Sequence, residues 1–425
     1  MSDTIFALSS GAPPAAIGII RISGERAVHA LSELAGRHFE PRRPCLARLT
    51  GSEGDVLDQA LVVWFAGPGT ATGEDLVELH CHGGRAVLTA VQNALKKIDG
   101  LREAEPGEFT RRAFANGRID LAEAEGLADL LSAETELQRS AAMSMAGGQF
   151  SRQAEAWRDT VLALSAEVEG VLDFSDEEDS QGLPEDFKAR VAGLLRELED
   201  WLSRPRAERL GEGFRVILAG PPNTGKSSLF NALVESEAAI TSPVAGTTRD
   251  IIERSVAIEG MPFTFVDTAG LREGSSDPIE AIGVERARDA AARADCVLWL
   301  GDEGAGPVGA WEIVSRLDAP DSRSKDRPRH QVSAVTQEGL TGLKRDLVDT
   351  AKSLMPKPGE AALNARQHGL VDAAATALRD IVDRTDLLVV AEGLRGARVS
   401  FDRLIGRSTT EDMLDALFGR FCIGK

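Results

Sequence analysis

Short apolar runs closed by glycine alternate with helical spacing over the first part of the chain. "AAIGIIRISG" (15–24), "ALVVWFAG" (60–67) and "DLVELHCHGG" (75–84) predict strands ending in turns. "RAVLTAVQNALKKI" (85–98) repeats apolar residues at the period of a helix. The mix predicts an α+β domain over residues 1–118. From "PGEFTRRAF" onward the pattern becomes long and rich in Ala, Leu and Glu. "LAEAEGLADLLSAETELQRSAAMSMAG" and "QFSRQAEAWRDTVLALSAEVEGVL" contain no proline and predict helices. An acidic break, "DFSDEEDSQGLP" (173–184), precedes a further helix, "EDFKARVAGLLRELEDWLSR". Its carboxylates could hold a metal, but a solvated loop accounts for them more simply.

At Phe214 the pattern changes again, to strand, glycine loop and helix, and alternates until about residue 355. That is the mark of a parallel α/β domain. Helical spacing resumes after "MPKPGEAALNARQ". The chain therefore divides into 1–118, a first helical part 119–212, an inserted α/β domain 213–355 and a second helical part 356–425. The fold class is multidomain, α+β with all-α and α/β. The two helical parts are expected to pack as one bundle, because a long insertion adds little closure entropy.

Composition narrows the class. Hydrophobic residues make up 43% of the 425, an ordinary globular share. No apolar run approaches the ~18 residues of a membrane span, so no membrane role is expected. "MSDTIFALSSGAPPA" lacks the basic start of a signal peptide. Cys45, Cys81, Cys296 and Cys422 stand far apart, without the spacing of a zinc site or disulfide framework, and a reducing cytoplasm is expected. The formal net charge of −19 repels nucleic acid over most of the surface. If the chain acts on RNA, a partner has to supply much of the positive charge.

"FRVILAGPPNTGKSSLFNAL" carries the clearest chemistry. It places G-x-x-x-x-G-K-S (Gly220, Gly225, Lys226, Ser227) between an apolar strand and a helix. Backbone N–H groups there cradle phosphates, the lysine reaches the β- and γ-oxygens, and the serine hydroxyl suits Mg²⁺. "VDTAG" (266–270) adds Asp267, suited to a Mg²⁺-linked water, and Gly270 near the γ-phosphate. "GTTRD" (246–250) offers Thr248 as a second Mg²⁺ ligand. This order resembles a GTPase of the translation-factor-related class.

The base reader is degenerate. Where N-K-x-D is expected, "EIVSRLDA" (312–319) gives Ser315-Arg316-Leu317-Asp318. Asp318 alone still rejects adenine, which has no N1–H for it, so GTP is expected with weakened base affinity. "VSAVTQEGL" (332–340) places Ser333 and Ala334 near the base. Leu271 occupies the position of the Ras water-orienting glutamine and cannot serve. Carboxylates of "LREGSSDPIEAIGVERA" are the alternatives, Glu280 among them. Arg249 could neutralise charge in cis, or Asn223 could hold a monovalent cation beside the phosphates.

These motifs, with "AIGIIRISG", "GEDLVELHCHGG", "PGEFTRRAFANGRIDLAEAEGLADL" and the terminal "FCIGK", resemble the MnmE (TrmE) family of tRNA-modification GTPases over essentially the whole chain. The resemblance implies a homodimer, an N-terminal folate-binding domain, a helical domain and an inserted TrmE-type G domain. It implies K⁺-stimulated GTP hydrolysis, with Asn223, Ser242, Val244 and Thr247 around K⁺, Ser227 and Thr248 on Mg²⁺, and Glu280 orienting the water. The implied nucleotide contacts are Asn223, Thr224, Gly225, Lys226, Ser227 and Ser228. To these it adds Ser242, Pro243, Val244, Ala245, Gly246, Thr247 and Thr248, then Asp267, Thr268, Ala269 and Gly270, and lastly Asp318, Ser333, Ala334 and Val335. It further implies an FAD-dependent partner of the GidA (MnmG) type, in a heterotetramer that modifies C5 of tRNA wobble uridine. The one-carbon source would be a tetrahydrofolate, 5-formyl or 5,10-methylene, held by Arg21, Glu78, Arg118 and Lys425. Arg118 stands where some relatives are expected to have lysine.

His80 and His82 share a strand face but lack a third ligand at sensible spacing for a metal. Cys422 lies fourth from the end, yet Gly424 and Lys425 do not make a prenylation box. Its thiol is left as either buried and structural or functional, and the resemblance implies a part in the modification. Cys296 reads as a buried strand residue. Two other readings stay open: a ribosome-assembly GTPase of the Era or Der type, and a folate-dependent one-carbon transferase whose GTPase only regulates it.

Overall fold

The computed structural model describes residues 3–173, 182–235, 237–239, 252–267, 294–319, 324–408 and 410–424. Two compact units result, Met1–Ala128 with Asp402–Lys425, and Asp129–Phe401.

The first unit is built on a six-stranded sheet. Its strands are β1 (Thr4–Leu8), β2 (Ile17–Ser23), β3 (Cys45–Thr50), β4 (Val56–Phe65), β5 (Leu76–His82) and β6 (Leu101–Glu103), in the order β3-β4-β5-β2-β1-β6. All neighbours run antiparallel except β1 and β6. Alternation along β2 buries Ile20 and Ile22 on one face, where α1 (Ala27–Ala35) and α2 (Arg85–Lys96) add Leu31, Leu88, Val91 and Leu95. The opposite face carries Arg21, Glu78 and His80, half-buried. Three further helices complete the unit: α3 (Glu108–Ala115), the start of α4 (Leu121–Ser132), and a late helix from Glu411 to Phe418. They share a core of Leu121, Ala124, Leu417, Phe418 and Phe421.

The stretch expected to be helical from 121 to 147 divides between α4, whose end opens the second unit, and α5 (Glu136–Ala146). Thr135 caps α5: its hydroxyl accepts from Gln138 N, and the Gln138 side chain accepts from Thr135 N. This reciprocal box satisfies two orphan donors and stops one helix from continuing into the next. α6 (Gln149–Asp173), α7 (Phe187–Ser203) and α8 (Glu208–Glu212) follow.

The nucleotide-type sheet comprises β7 (Phe214–Ala219), β8 (Ala238–Ala239), β9 (Ile252–Ile258), β10 (Met261–Asp267), β11 (Cys296–Trp299), β12 (Trp311–Val314) and β13 (His330–Gln331). The order is β13-β12-β11-β7-β10-β9-β8. β13 through β10 are parallel as expected, while β9 and β8 add an antiparallel edge to the parallel sheet. α9 (Lys226–Val234) follows β7, and α10 (Leu340–Leu354) follows β13. α11 (Ala365–Ile381) and α12 (Leu387–Leu404) return to the helices of 149–203. Arg379 of α11 pairs with Glu199 of α7 at 2.8 Å, and Trp157 packs on Trp201 and Phe401 with ring centroids 5.7 and 5.8 Å away. The late helix of the first unit is α13 (Glu411–Phe418). No helix among the described residues is long and apolar enough to cross a membrane.

Candidate functional site

The parallel strands β7, β10, β11, β12 and β13 all end at one edge of the sheet, where open α/β folds place their ligands. β7 is central and apolar, with Val216, Ile217 and Leu218 buried, so the loop after it starts from a rigid base. Asn223 adopts φ +63° and Gly225 φ +87°, turning successive backbone groups into the concavity of a phosphate-binding loop. Lys226, the first residue of α9, is buried. Its Nζ donates to Gly220 O at 2.8 Å and Pro221 O at 2.7 Å. Thr224 is buried, and its hydroxyl donates to Pro221 O at 2.9 Å. Ser227 and Ser228 are exposed in the first turn of α9, where a hydroxyl can meet a metal or phosphate.

Asp267 ends β10 and is buried. Beyond β12, Asp318 is exposed, and its Oδ1 accepts from Ser333 Oγ at 2.5 Å. Ser333 is fully buried, and its Oγ also accepts from Thr336 N. The Ser333 hydrogen bond, with backbone donation and Arg316 nearby, holds the Asp318 carboxyl below its ordinary value. The carboxylate therefore stays charged, as recognition of the guanine N–H donors requires. Ala334 is half-buried and Val335 exposed. The structure thus brings the phosphate loop, Asp267 and the Asp318–Ser333 pair to the same edge. Ser242, Pro243, Val244, Ala245, Gly246, Thr247, Thr248, Arg249, Thr268, Ala269, Gly270, Leu271 and Glu280 lie outside the described residues.

In the first unit, Arg21 and Glu78 are directly opposed on β2 and β5. Arg21 Nη2 donates to Glu78 Oε1 at 2.8 Å, and Glu78 Oε2 meets His80 Nε2 at 3.3 Å. Arg118 donates instead to Thr70 O at 3.1 Å, on the loop before β5. His82 pairs with Asp58 through Nδ1 at 2.7 Å. No group of three His, Cys, Asp or Glu side chains suited to a metal occurs among the described residues. Cys296 is buried in β11, where burial pushes its thiol up to about 12. Cys422 is exposed, which removes the buried structural alternative; Lys425 lies outside the described residues.

The tail around Cys422 is seated by backbone contacts. Ile423 bridges Pro106, and Gly424 adopts φ +96° with its Cα against the Leu8 carbonyl. A Cβ at 424 would stand 2.0 Å from Leu8 O, an end of β1 that cannot easily yield. Gly424→Ala is therefore expected to unseat the tail and to speed carboxypeptidase release of the last residues about tenfold or more. A digestion rate equal to the native one would show that the contact does not hold the tail.

A phosphate cradle at the strand ends, a buried Asp267 and a carboxylate poised for guanine define a P-loop GTPase. Residues 4–118 match the family described as GTP-binding protein TrmE N-terminus, and residues 121–422 match the MnmE helical domain. A tRNA modification GTPase MnmE of Erythrobacter litoralis is 61% identical over 423 residues, covering 100% of both chains. One from Novosphingobium aromaticivorans is 58% identical over 437 residues, again covering 100% of both. Among solved structures, the G domain of the T. maritima FeoB iron transporter is 28% identical over 32% of this chain and 98% of that one, with a TM-score of 0.24. The chain belongs to the MnmE family of tRNA modification GTPases, and it is a GTP hydrolase.

Proposed function

We propose that this GTPase is stimulated by K⁺ and works with an FAD-dependent partner of the GidA (MnmG) type to modify C5 of tRNA wobble uridine from a tetrahydrofolate one-carbon unit. The observation that carries the reading is the cradle of buried Lys226 and exposed Ser227 sharing one sheet edge with Asp267 and the Asp318–Ser333 pair, in a chain aligned end to end with MnmE relatives. The protein acts in the cytoplasm as a homodimer, which with its partner forms a heterotetramer. Its parts are a folate domain over 1–118, helices over 119–212 and 356–425, and a G domain over 213–355.

In hydrolysis, loop N–H groups and Lys226 take the phosphate oxygens, and Asp318 accepts from the guanine N–H groups. Mg²⁺, when bound, neutralises phosphate charge and would be held by Ser227 and Thr248, with Asp267 on its water. Glu280 orients the water that attacks the γ-phosphorus, and the P–O bond to the β-phosphate breaks. Asn223, Ser242, Val244 and Thr247 would hold K⁺, which when bound would supply positive charge against the negative charge that develops on the phosphates. In the other unit, Glu78 would accept from a pterin ring, while the cations Arg21, Arg118 and Lys425 suit the anionic glutamate tail. Arg21 then has to exchange part of its bond to Glu78 for the ligand. Cys422 takes part in the modification.

Deleting the gene is expected to remove the C5-modified wobble nucleoside from digested tRNA, as read by mass spectrometry. Unchanged tRNA would exclude the function. The purified protein is expected to hydrolyse GTP at least tenfold faster in K⁺ than in Na⁺, and equal rates would exclude the cation.

A further inference from the structure

Ser315 and Arg316 replace two residues of the guanine-reading motif; the charge of Arg316 acts on Asp318 from nearby, but the hydrogen bond to that carboxylate comes from Ser333. Both replacements turn towards the phosphate loop. Ser315 Oγ donates to Thr224 O at 2.5 Å, across 91 residues of sequence. A serine hydroxyl has one hydrogen, and this contact uses it. Arg316 Nη1 donates to Asn223 O at 3.4 Å. The methylenes of Arg316 lie over Gly225, where a Cβ would stand 3.1 Å from Arg316 Cγ and 3.5 Å from Ser315 Oγ. Residues 223, 224 and 225 of the loop are thus gripped in succession by two residues that follow β12. Arg316 itself takes φ +60°, a conformation that side chains with a Cβ disfavour, and this directs its stem onto the loop. Asp318, two residues on, is fixed separately by Ser333 at 2.5 Å.

We propose that Ser315 and Arg316 are positioning residues of the phosphate-binding loop: they set how tightly the nucleotide's phosphates are held, while Asp318 with Ser333 alone reads the base. The loop N–H groups bind phosphate only when their carbonyl partners are turned away and held, and the two tethers hold the Asn223 and Thr224 carbonyls.

The test is equilibrium binding of GTP, GDP and ITP to the full chain, since ITP lacks the 2-amino group that Asp318 accepts. Ser315→Ala is expected to weaken GTP and GDP alike, about five- to tenfold, the loss of one such hydrogen bond. It leaves the GTP:ITP ratio within about twofold of native. Arg316→Ala is expected to behave in the same way. Ser315→Thr, which keeps the hydroxyl, restores most of the affinity. Ser333→Ala has the opposite signature, lowering the GTP:ITP ratio about fivefold by loosening Asp318. Melting of each variant without nucleotide separates these effects from a failure to fold. A change in the GTP:ITP ratio of more than about threefold in Ser315→Ala or Arg316→Ala makes them base readers and overturns the proposal. So does native GTP and GDP affinity in both variants.

Discussion

Lys226→Ala is expected to lower the rate of GTP hydrolysis about 10²–10³-fold, the usual cost of removing one preorganised charge stabiliser from a reacting centre. The expectation follows from how the structure stores this side chain. The ammonium is buried and already points along the loop, held by the Gly220 and Pro221 carbonyls at 2.8 and 2.7 Å. Both acceptors are neutral carbonyls, so these two bonds orient the ammonium without an anionic partner's pull. A phosphate oxygen, with a full negative charge, makes the stronger hydrogen bond and displaces one of them with little reorganisation. Alanine removes the charge and also leaves two loop carbonyls without these donors, so GTP affinity falls as well. Lys226→Arg is not expected to rescue the rate, because a planar guanidinium cannot occupy a pocket shaped for a compact ammonium. Phosphate release at saturating GTP measures the effect, and a loss smaller than about tenfold would falsify the role.

The phosphate loop was legible because its signature is local: an apolar strand, two glycines and a Lys-Ser pair fall within one strand–loop–helix unit. β2, β4 and β5 were legible from glycine-closed apolar runs for the same reason. β1, "TIFAL", and the short β6 were not, since four adjacent apolar residues and a three-residue strand show no period. The antiparallel edge of β9 and β8 left no distinguishing pattern either, because its pairing is decided by the partner strand. The tethers from Ser315 and Arg316 join segments some ninety positions apart, and a reading of the motif in isolation registers only that Asn and Lys are missing. The T-x-x-Q capping box at Thr135 was present in the sequence, yet the helical composition around it masked the break. The pattern "TTEDMLDALFGRFCIGK" predicts a separate helix just before Cys422, which lets the tail dock near the folate domain, but spacing alone does not fix its packing partner. Its place in the first unit comes from tertiary contacts such as Phe114 against Phe418, with ring centroids 6.2 Å apart.

A buried ionic cluster in the first unit was equally invisible to sequence, and it leads to the largest expected loss of stability. Arg112 is 1% exposed. Its Nη2 donates to Glu108 at 3.0 Å and to the Asp3 carboxylate at 3.2 Å, and its Nη1 to Glu74 at 3.1 Å and Asp3 O at 3.0 Å. Arg102 binds the same Glu108 through two nitrogens and also reaches Asp3. Removing Arg112 leaves Asp3 and buried Glu108 to Arg102 alone and takes the arginine from Glu74, so Arg112→Met is expected to cost about 3–5 kcal/mol. For a unit of this size that lowers its melting temperature by roughly 10 °C. The pH dependence has a fixed sign. The Arg102 hydrogen bond holds Asp3 below its ordinary carboxylate range. For Glu108, burial pushes the carboxyl up, but bonds from Arg102, Glu105 N and Arg112 outweigh it and leave the group below its ordinary value. Folded values below the unfolded ones mean that the stabilisation is complete at neutral pH and is lost as pH falls through the carboxylate range. The native protein should therefore lose stability steeply between about pH 5 and 3, and Arg112→Met should show a shallower acid limb. Calorimetry at neutral and acidic pH decides it: a variant with native stability at pH 7, or an undiminished acid limb, removes the cluster from the energetics of this unit.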